Sequence, residues 1–197
     1  NPDRRSALSI KRIVADTSAA QLLKNGDIIL AIDENPVTSY RGLERAVQKP
    51  QVKVTLWRNN NVHEILVKTT KLDGKGIDRA VSWAGALIQD PHRAMAAQRG
   101  IKTSGVYVSY FNYGSPSTRY GLWAGRRIVE VNGIKIPNLE AFIEITKNIR
   151  HQESVRLKTI TWNDAEEVIT LKIDNQYWPA YEIVRENKTW KRVDFGL

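Results

Sequence analysis

Three histidines are the residues of this chain best suited to acid–base chemistry or metal binding. They are His63, His92 and His151, and the 197 residues include no cysteine. A serine hydrolase needs a serine nucleophile, a histidine base and an orienting acid, commonly with glycines around the serine. The sequence contains no Gly-x-Ser-x-Gly run, and scattered histidines without cysteines argue against zinc. We therefore expect no catalytic triad, no metal site and no cofactor in this chain.

The surroundings of the histidines also favour solvated positions over catalytic ones. His63 falls in a predicted hairpin, and His151 falls in a turn between a helix and a strand. His92 belongs to the run Asp90-Pro91-His92-Arg93, which is typical of an extended turn after a strand. We expect this chain itself to cleave nothing.

The net charge of +9 leaves nucleic acid, anionic lipid and acidic peptides as conceivable partners. Nucleic-acid binding usually concentrates basic residues in a stripe, whereas here they are spread along the chain among acidic neighbours. A solvated basic surface is the simpler interpretation, so nucleic acid is a disfavoured partner. No apolar run is long enough to cross a bilayer. We take the chain as a piece of a longer protein, so missing targeting signals say nothing about the parent.

One stretch of sequence occurs twice in this chain. The run from Leu23 to Asp33 reappears from Leu122 to Asn132, with Gly26 and Gly125 at matching places. A repeat this long indicates two copies of a whole small domain, because solenoid units are shorter and more numerous.

Apolar periodicity, turn residues and caps predict the order strand, helix, strand, helix and hairpin in both copies. In the first copy these elements are a strand from Leu8, a helix over 18–23, a strand over 27–32, a helix over 40–47 and a hairpin over 52–67. In the second copy they are a strand over 105–110, a helix over 115–120, a strand over 127–131, a helix over 139–149 and a hairpin over 155–173.

The predicted domain boundaries follow from this order. The first domain covers residues 1–72, and a glycine-rich, charged linker covers 73–80. The second domain covers 81–175. A further hairpin, rich in aromatic residues, covers 176–197 and is expected to pack back on the second domain or to cover its sheet edge.

The repeated pattern Leu-x-x-Gly-Asp-x-Ile-x-x-Ile-Asp, within small sheets capped by one short and one longer helix, resembles PDZ domains. The strand order is similar to the circularly permuted form of HtrA/Deg serine proteases. A multi-PDZ subfamily, known from fungi and bacteria, matches more closely through the runs 83–88, 91–94, 105–108, 113–122 and 177–179. The resemblance implies an α+β, mainly β fold with two PDZ-like partly open barrels and a C-terminal hairpin.

In such domains an extended peptide adds to a sheet edge beside the longer helix, and a glycine-containing loop holds its carboxylate. The resemblance places that loop at Ala84, Gly85, Ala86 and Leu87. Leu87, Ile88 and Gln89 would enter the edge strand. Phe142 and Thr146, one helical turn apart, would face the groove. For Phe142, a plain core position is an equal alternative.

Two features depart from the PDZ pattern. Bulky apolar residues usually flank the loop glycine, whereas here both neighbours of Gly85 are alanine. In the first copy, residues 1–6 hold no glycine that could supply the loop, and Leu43 and Val47 are interpreted as core residues. The alanines leave a degenerate, scaffold-like groove open as an alternative. In the first copy, either the loop was left behind at the fragment boundary or the copy packs without binding.

Three functions remain open. The first is a peptide-binding, regulatory PDZ pair that captures substrate C-termini for an HtrA-like serine endopeptidase. The second is an occluded scaffold for assembly, and the third and weakest is a basic nucleic-acid-binding fragment. The resemblance implies peptide or protein C-termini, the protease domain and other protomers as partners, and a homo-oligomer for the full-length protein. It implies the cell envelope in a bacterium and the nucleus in a fungus, and the compartment stays open.

Overall fold

The chain divides into two compact units. The computed structural model describes residues 6–72, 76–99 and 104–195, and each unit has its own core. The first unit comprises 6–72 together with the helix Arg93–Arg99, and the second comprises 76–92 and 104–195. Sequence analysis did not predict that helix.

In its 6–72 part, the first unit is one small antiparallel sheet with two helices. Its strands run in the order β1-β2-β4-β5, and β3 pairs with the last two residues of β2. Val52, Val54 and Leu56 alternate along β4 and form the centre of its core with Ile32. The elements are β1 (Leu8–Ser9), α1 (Ser18–Leu22), β2 (Ile28–Ile32), β3 (Asn35–Pro36), α2 (Tyr40–Ala46), β4 (Gln51–Arg58) and β5 (Asn61–Lys68).

The second unit is built on a larger antiparallel sheet. Its strands run in the order β12-β11-β9-β8-β7-β6-β13-β14, with β10 paired to β9. The elements are β6 (Arg79–Trp83), β7 (Ala86–Gln89), β8 (Val106–Phe111), α4 (Pro116–Arg119), β9 (Arg127–Val131), β10 (Ile134–Lys135), α5 (Leu139–Thr146), β11 (Ser154–Ile160), β12 (Glu166–Lys172), β13 (Tyr181–Glu186) and β14 (Thr189–Asp194); α3 is the inserted helix Arg93–Arg99.

The predicted element order is present in both units, and the predicted mainly β fold class is confirmed. Asn138 caps α5 through a side-chain bond to the backbone N–H of Ala141 (3.0 Å), as the Pro-Asn pair ahead of that helix indicates. Among the described residues, no helix is long and apolar enough to span a membrane.

One boundary needs correction. Sequence analysis placed Arg79 and Ala80 in the linker over 73–80, but both residues belong to strand β6. Their strand pairs with β7 on one side and with β13 on the other, and these ladders fix it within the second sheet. Residues 73–75 lie outside the described part of the chain.

The residue after the repeated glycine ties a turn to the hairpin that follows it. Asp27 is buried, accepts a hydrogen bond from the backbone N–H of Lys24 at 2.8 Å, and pairs with Arg58 at 2.7 and 2.5 Å. The hydrogen bond from Arg58 lowers the pKa of Asp27. The second unit carries Arg126 at this place, and its guanidinium donates to Thr159 (3.1 Å) and Glu167 (2.5 Å). The two copies therefore make the same tether with opposite charge.

Candidate functional site

The predicted carboxylate loop is the tight turn of a β-hairpin. Trp83 at the end of β6 pairs with Ala86 at the start of β7, which leaves Ala84 and Gly85 as a two-residue connection. Both have positive φ angles, 52° and 78°, as a type I′ turn requires. An alanine in this left-handed region costs about 1 kcal/mol, so the surrounding contacts must hold Ala84 there.

Gly85 is packed against the start of α4. A Cβ atom on Gly85 would lie 2.2 Å from the Cβ of Ser115 and 3.1 Å from Cε3 of Trp178. The Gly85 carbonyl accepts hydrogen bonds from the backbone N–H and the side-chain amide of Asn112, at 2.8 and 3.1 Å. The Ala84 carbonyl accepts one from the backbone N–H of Ser117 at 2.9 Å. A glycine is therefore needed at position 85 for packing.

Strand β7 has partners on both edges. It pairs with β8 on one side, and on the other side Val81, Ser82 and Trp83 of β6 lie opposite Ile88, Leu87 and Ala86. The prediction that residues 87–89 enter a free edge strand is therefore wrong. The physical reason is the Ala84-Gly85 turn, which folds β6 back along the edge where an extended peptide would add.

The side chains of β6 pack toward the longer helix. The rings of Trp83 and Phe142 meet edge to face, with centroids 5.4 Å apart and planes at 85°. Val81, Trp83 and Phe142 are almost completely buried in one core, together with Ala84, Ala86 and Ile88. Burial of a large apolar side chain contributes about 1.5 to 3 kcal/mol. Phe142 is thus a core residue, the alternative that sequence analysis gave equal weight.

Thr146 is also buried, and it is engaged within its own helix. Its hydroxyl donates to the carbonyl oxygen of Phe142, one turn earlier, at 2.7 Å. This bond satisfies the hydroxyl within the core. Leu87 is the half-buried member of the predicted set. The structure therefore brings the predicted residues together around one buried core, with Leu87 at its boundary.

Arg79 anchors β6 to its two other neighbours. Its guanidinium donates to Glu182 on β13 and, at 2.5 Å, to Glu140 on α5. The hydrogen bond to Glu182, followed by that to Glu140, raises the pKa of Arg79. Among the described residues of the second unit, Glu182 is the one buried charged residue. Nearby, Asp90, just after β7, accepts a hydrogen bond from the N–H of Leu139 at 2.7 Å and so joins β7 to the start of α5.

Sequence reasoning missed four residues of this arrangement: Arg79, Trp83, Glu140 and Glu182. A signal was present, since Val81-Ser82-Trp83 alternates in polarity ahead of an Ala-Gly pair, and alternation before a two-residue glycine turn predicts a hairpin. Glu140 and Glu182 had no such signal in the sequence, because only the fold brings their carboxylates to Arg79.

The remaining predicted residues occupy scattered positions. In the first unit, Leu43 and Val47 pack against the core, in line with their interpretation as core residues. Residues 1–5, where the first-copy loop was sought, lie outside the described residues. His63 is on β5, His92 precedes α3, and Nδ1 of His151 lies 3.6 Å from a carboxylate oxygen of Asp174.

Comparison with known proteins gives this arrangement a family. Residues 77–152, which include β6, β7 and α5, match the family described as PDZ-like domain. The chain is 39% identical to Protease Do-like 7 of Arabidopsis thaliana and 32% identical to the pro-apoptotic serine protease nma111 of Aspergillus niger. Each match covers 98% of this chain but only 19% and 20% of the respective relative. The chain thus spans about a fifth of the length of these relatives.

Solved structures resemble the chain more loosely. The HtrA-type protease AlgW with decapeptide matches 85% of this chain and 63% of its own, at 13% identity and a TM-score of 0.43. The PDZ domain of an SdrC-like protein from Listeria monocytogenes matches 34% of this chain and 75% of its own, at 24% identity and a TM-score of 0.32.

By the family match, residues 77–152 of the second unit are a PDZ-like domain. The chain as a whole is homologous to HtrA/Do-like proteases over about a fifth of their length.

Proposed function

We propose that this chain is the regulatory, non-catalytic PDZ pair of an HtrA-like serine endopeptidase, and that its second domain works as a closed scaffold for assembly. Similarity along 98% of this chain to Protease Do-like 7 and to a pro-apoptotic serine protease supports the protease context. One observation favours a scaffold over a peptide receptor. Strand β6 fills the position beside β7 and α5 at which a peptide would otherwise add.

The turn supports the same choice. A PDZ loop holds a carboxylate with backbone N–H groups that point at open space. In the second domain the corresponding residues form a two-residue hairpin turn that is packed on Ser115. The proposed partners are therefore the protease domain and other protomers, which would contact outer surfaces of the domain.

A peptide titration tests the closed groove. Fluorescent peptides with apolar C-termini, each made with a free and an amidated carboxyl group, are titrated into the chain, and a PDZ domain with a known ligand serves as the positive control. We expect no saturable binding that depends on the free carboxylate. Such binding, accompanied by NMR shifts in β7 and α5, would contradict the proposal.

A second experiment tests the regulatory role. Trp83→Ala is introduced into a full-length protease that carries this segment, and peptidase activity and oligomeric mass are measured. Trp57→Ala in the first unit is a control for loss of a half-exposed tryptophan, which is 40% exposed. We expect Trp83→Ala to change activity or assembly. Unchanged peptidase activity together with unchanged oligomeric mass in Trp83→Ala would refute a regulatory role for the second domain.

A further inference from the structure

A small cavity lies on the second unit between α4 and the end of β12. It measures about 70 Å³, and its lining includes Arg119, Tyr120, Gln152, Lys172, Asp174 and Trp178. Neither β7 nor α5 supplies any of the residues that line it. Pockets for drug-sized molecules hold about 300 to 1,000 Å³. A cavity of this size instead has room for the end of a single side chain.

The lining carries two cations whose charge is not neutralised inside the fold. Arg119 is the last residue of α4 and Lys172 is the last residue of β12, and both side chains are exposed. Within the described part of the chain, neither side chain forms an ion pair or a hydrogen bond. Both cations are therefore available to an anion that enters the cavity.

Asp174 also lines the cavity, but its carboxylate is used by the turn that follows β12. Its Oδ1 accepts hydrogen bonds from the backbone N–H groups of Gln176 and Tyr177, each at 3.1 Å. Nδ1 of His151 lies 3.6 Å from the same oxygen. Two cations and one carboxylate leave the lining with a net charge of +1. Because the Asp174 carboxylate repels a dianion more strongly than a monoanion, the cavity favours an anion of single charge.

Aromatic rings surround this charge. Trp178 forms a wall of the cavity; its backbone N–H donates to the carbonyl of Asp174 at 3.0 Å, and its ring packs against Gly85. Tyr113 and Tyr177 adjoin lining residues in the chain, and they are 85% and 75% exposed. Tyrosine, tryptophan and arginine are enriched at protein interfaces, where the strongest contacts lie in pockets. The composition of this surface therefore indicates a protein partner.

We propose that the cavity is a docking site for the side chain of a glutamate on a protein partner. Arg119 and Lys172 bind its carboxylate through charge-assisted hydrogen bonds, and the ring of Trp178 packs against its two methylene groups. The exposed Tyr113 and Tyr177 contact neighbouring residues of the partner. The inference rests on the proposed function, because it gives the closed domain an outer surface for its partners, and it needs no open groove beside β7.

An NMR titration with a minimal peptide tests the site. The probe is acetyl-Gly-Leu-Glu-Leu-Gly-amide, whose blocked ends leave the glutamate as its only charge, and the same peptide with glutamine is the control probe. We expect the glutamate probe to shift the amide signals of residues 114–120 and 172–178 and the indole N–H of Trp178 in a saturable way. The glutamine probe should bind at least about fivefold more weakly, because charge-assisted hydrogen bonds are roughly twice as strong as neutral ones.

Two matched variants locate the charge. Arg119→Gln removes a cation of the lining, whereas Arg185→Gln removes an exposed arginine of β13 that lies outside it. Both variants lower the net charge of the chain equally. We expect Arg119→Gln to bind the glutamate probe at least about fivefold more weakly than the unmodified chain does. Arg185→Gln should stay within about twofold of the unmodified chain, because salt screens exposed charges that are far from the ligand.

Equal affinity for the two probes, equal effects of the two variants, or no saturable binding overturns the inference. Tighter binding of a phosphoserine probe than of the glutamate probe also overturns it, since the site would then select a dianion. If Arg119→Gln does not fold, the comparison of the two probes on the unmodified chain decides. Shifts in β7 and α5 in place of the cavity would overturn the inference and refute the closed groove as well, whereas failure at the cavity alone leaves the proposed function standing.

Discussion

Replacement of Gly85 by alanine offers a direct test of the packing around the turn, because Gly114 provides a matched control. Gly85 and Gly114 have nearly the same φ, 78° and 80°, so a Cβ atom strains the backbone equally at both positions. That strain is about 1 kcal/mol. At Gly114 the added Cβ meets no atom within 4 Å, whereas at Gly85 it would lie 2.2 Å from the Cβ of Ser115.

The contact with Ser115 sets the difference between the two variants. Ser115 is fully buried, and its hydroxyl bonds to the carbonyl of Asn112 at 2.6 Å and to the hydroxyl of Ser117 at 2.7 Å, so it cannot move without disrupting the N-terminus of α4. Overpacking of a core site typically costs about 1 to 3 kcal/mol. We therefore expect Gly85→Ala to lower the free energy of unfolding by about 2 kcal/mol more than Gly114→Ala, a factor of about 30 in the unfolding equilibrium constant.

Denaturant unfolding, with hydrogen exchange of the β7 amides to report on the second unit, measures both variants. Equal losses of stability would refute the packing argument. They would favour the alternative that a glycine at position 85 lets a ligand approach the backbone closely. The same geometry shows why a substitution at Gly85 cannot test peptide binding. Any side chain there disturbs the fold, so loss of binding would not identify the binding residue.

Three further predictions concern buried side chains. Asp27→Asn should lower the stability of the first unit by about 3 kcal/mol, because Arg58 loses its buried partner; calorimetry measures the loss. Since Arg58 lowers the pKa of Asp27, this stabilisation is complete above the unfolded pKa of about 4 and is lost as the pH falls through the folded value, and Asp27→Asn should remove that acid sensitivity. Trp83→Ala should cost the second unit about 3 to 5 kcal/mol by leaving a cavity over Phe142, and urea unfolding tests it; a loss below 1 kcal/mol would contradict the packing. Thr146→Val removes one buried hydroxyl bond, so a loss of about 1 kcal/mol is expected, and a larger one would show that Thr146 has a further partner.

Elements with strong local signals could be predicted from the sequence. The hairpin of β4 and β5 alternates cleanly around Asn59 and Asn60, which both adopt the positive φ angles of a tight turn. The caps Thr17 and Asn138 each accept a bond from a backbone N–H of the first helical turn. In these places the side-chain period and the turn chemistry agree, and the fold follows them.

The start of strand β6 could not be predicted from local sequence signals. Arg79 and Ala80 follow a glycine-rich stretch, so composition predicted a linker there, whereas the structure has them at the start of β6. Tertiary pairing with both β7 and β13 decides between the two. The insertion of α3 after β7 is a second case, because the run Arg93–Arg99 has helix formers but neither a clear cap nor a marked apolar face.

The same strand explains the alanines beside Gly85. A PDZ loop with bulky apolar residues around its glycine uses them to form a pocket for an incoming side chain. In this domain Trp83 supplies that bulk from β6, and its ring already lies on Phe142. Ala84 and Ala86 are each about 1% exposed, so a larger side chain at either position would need space that the core occupies. Small residues beside the glycine and a tryptophan just before them are thus two parts of one packing arrangement.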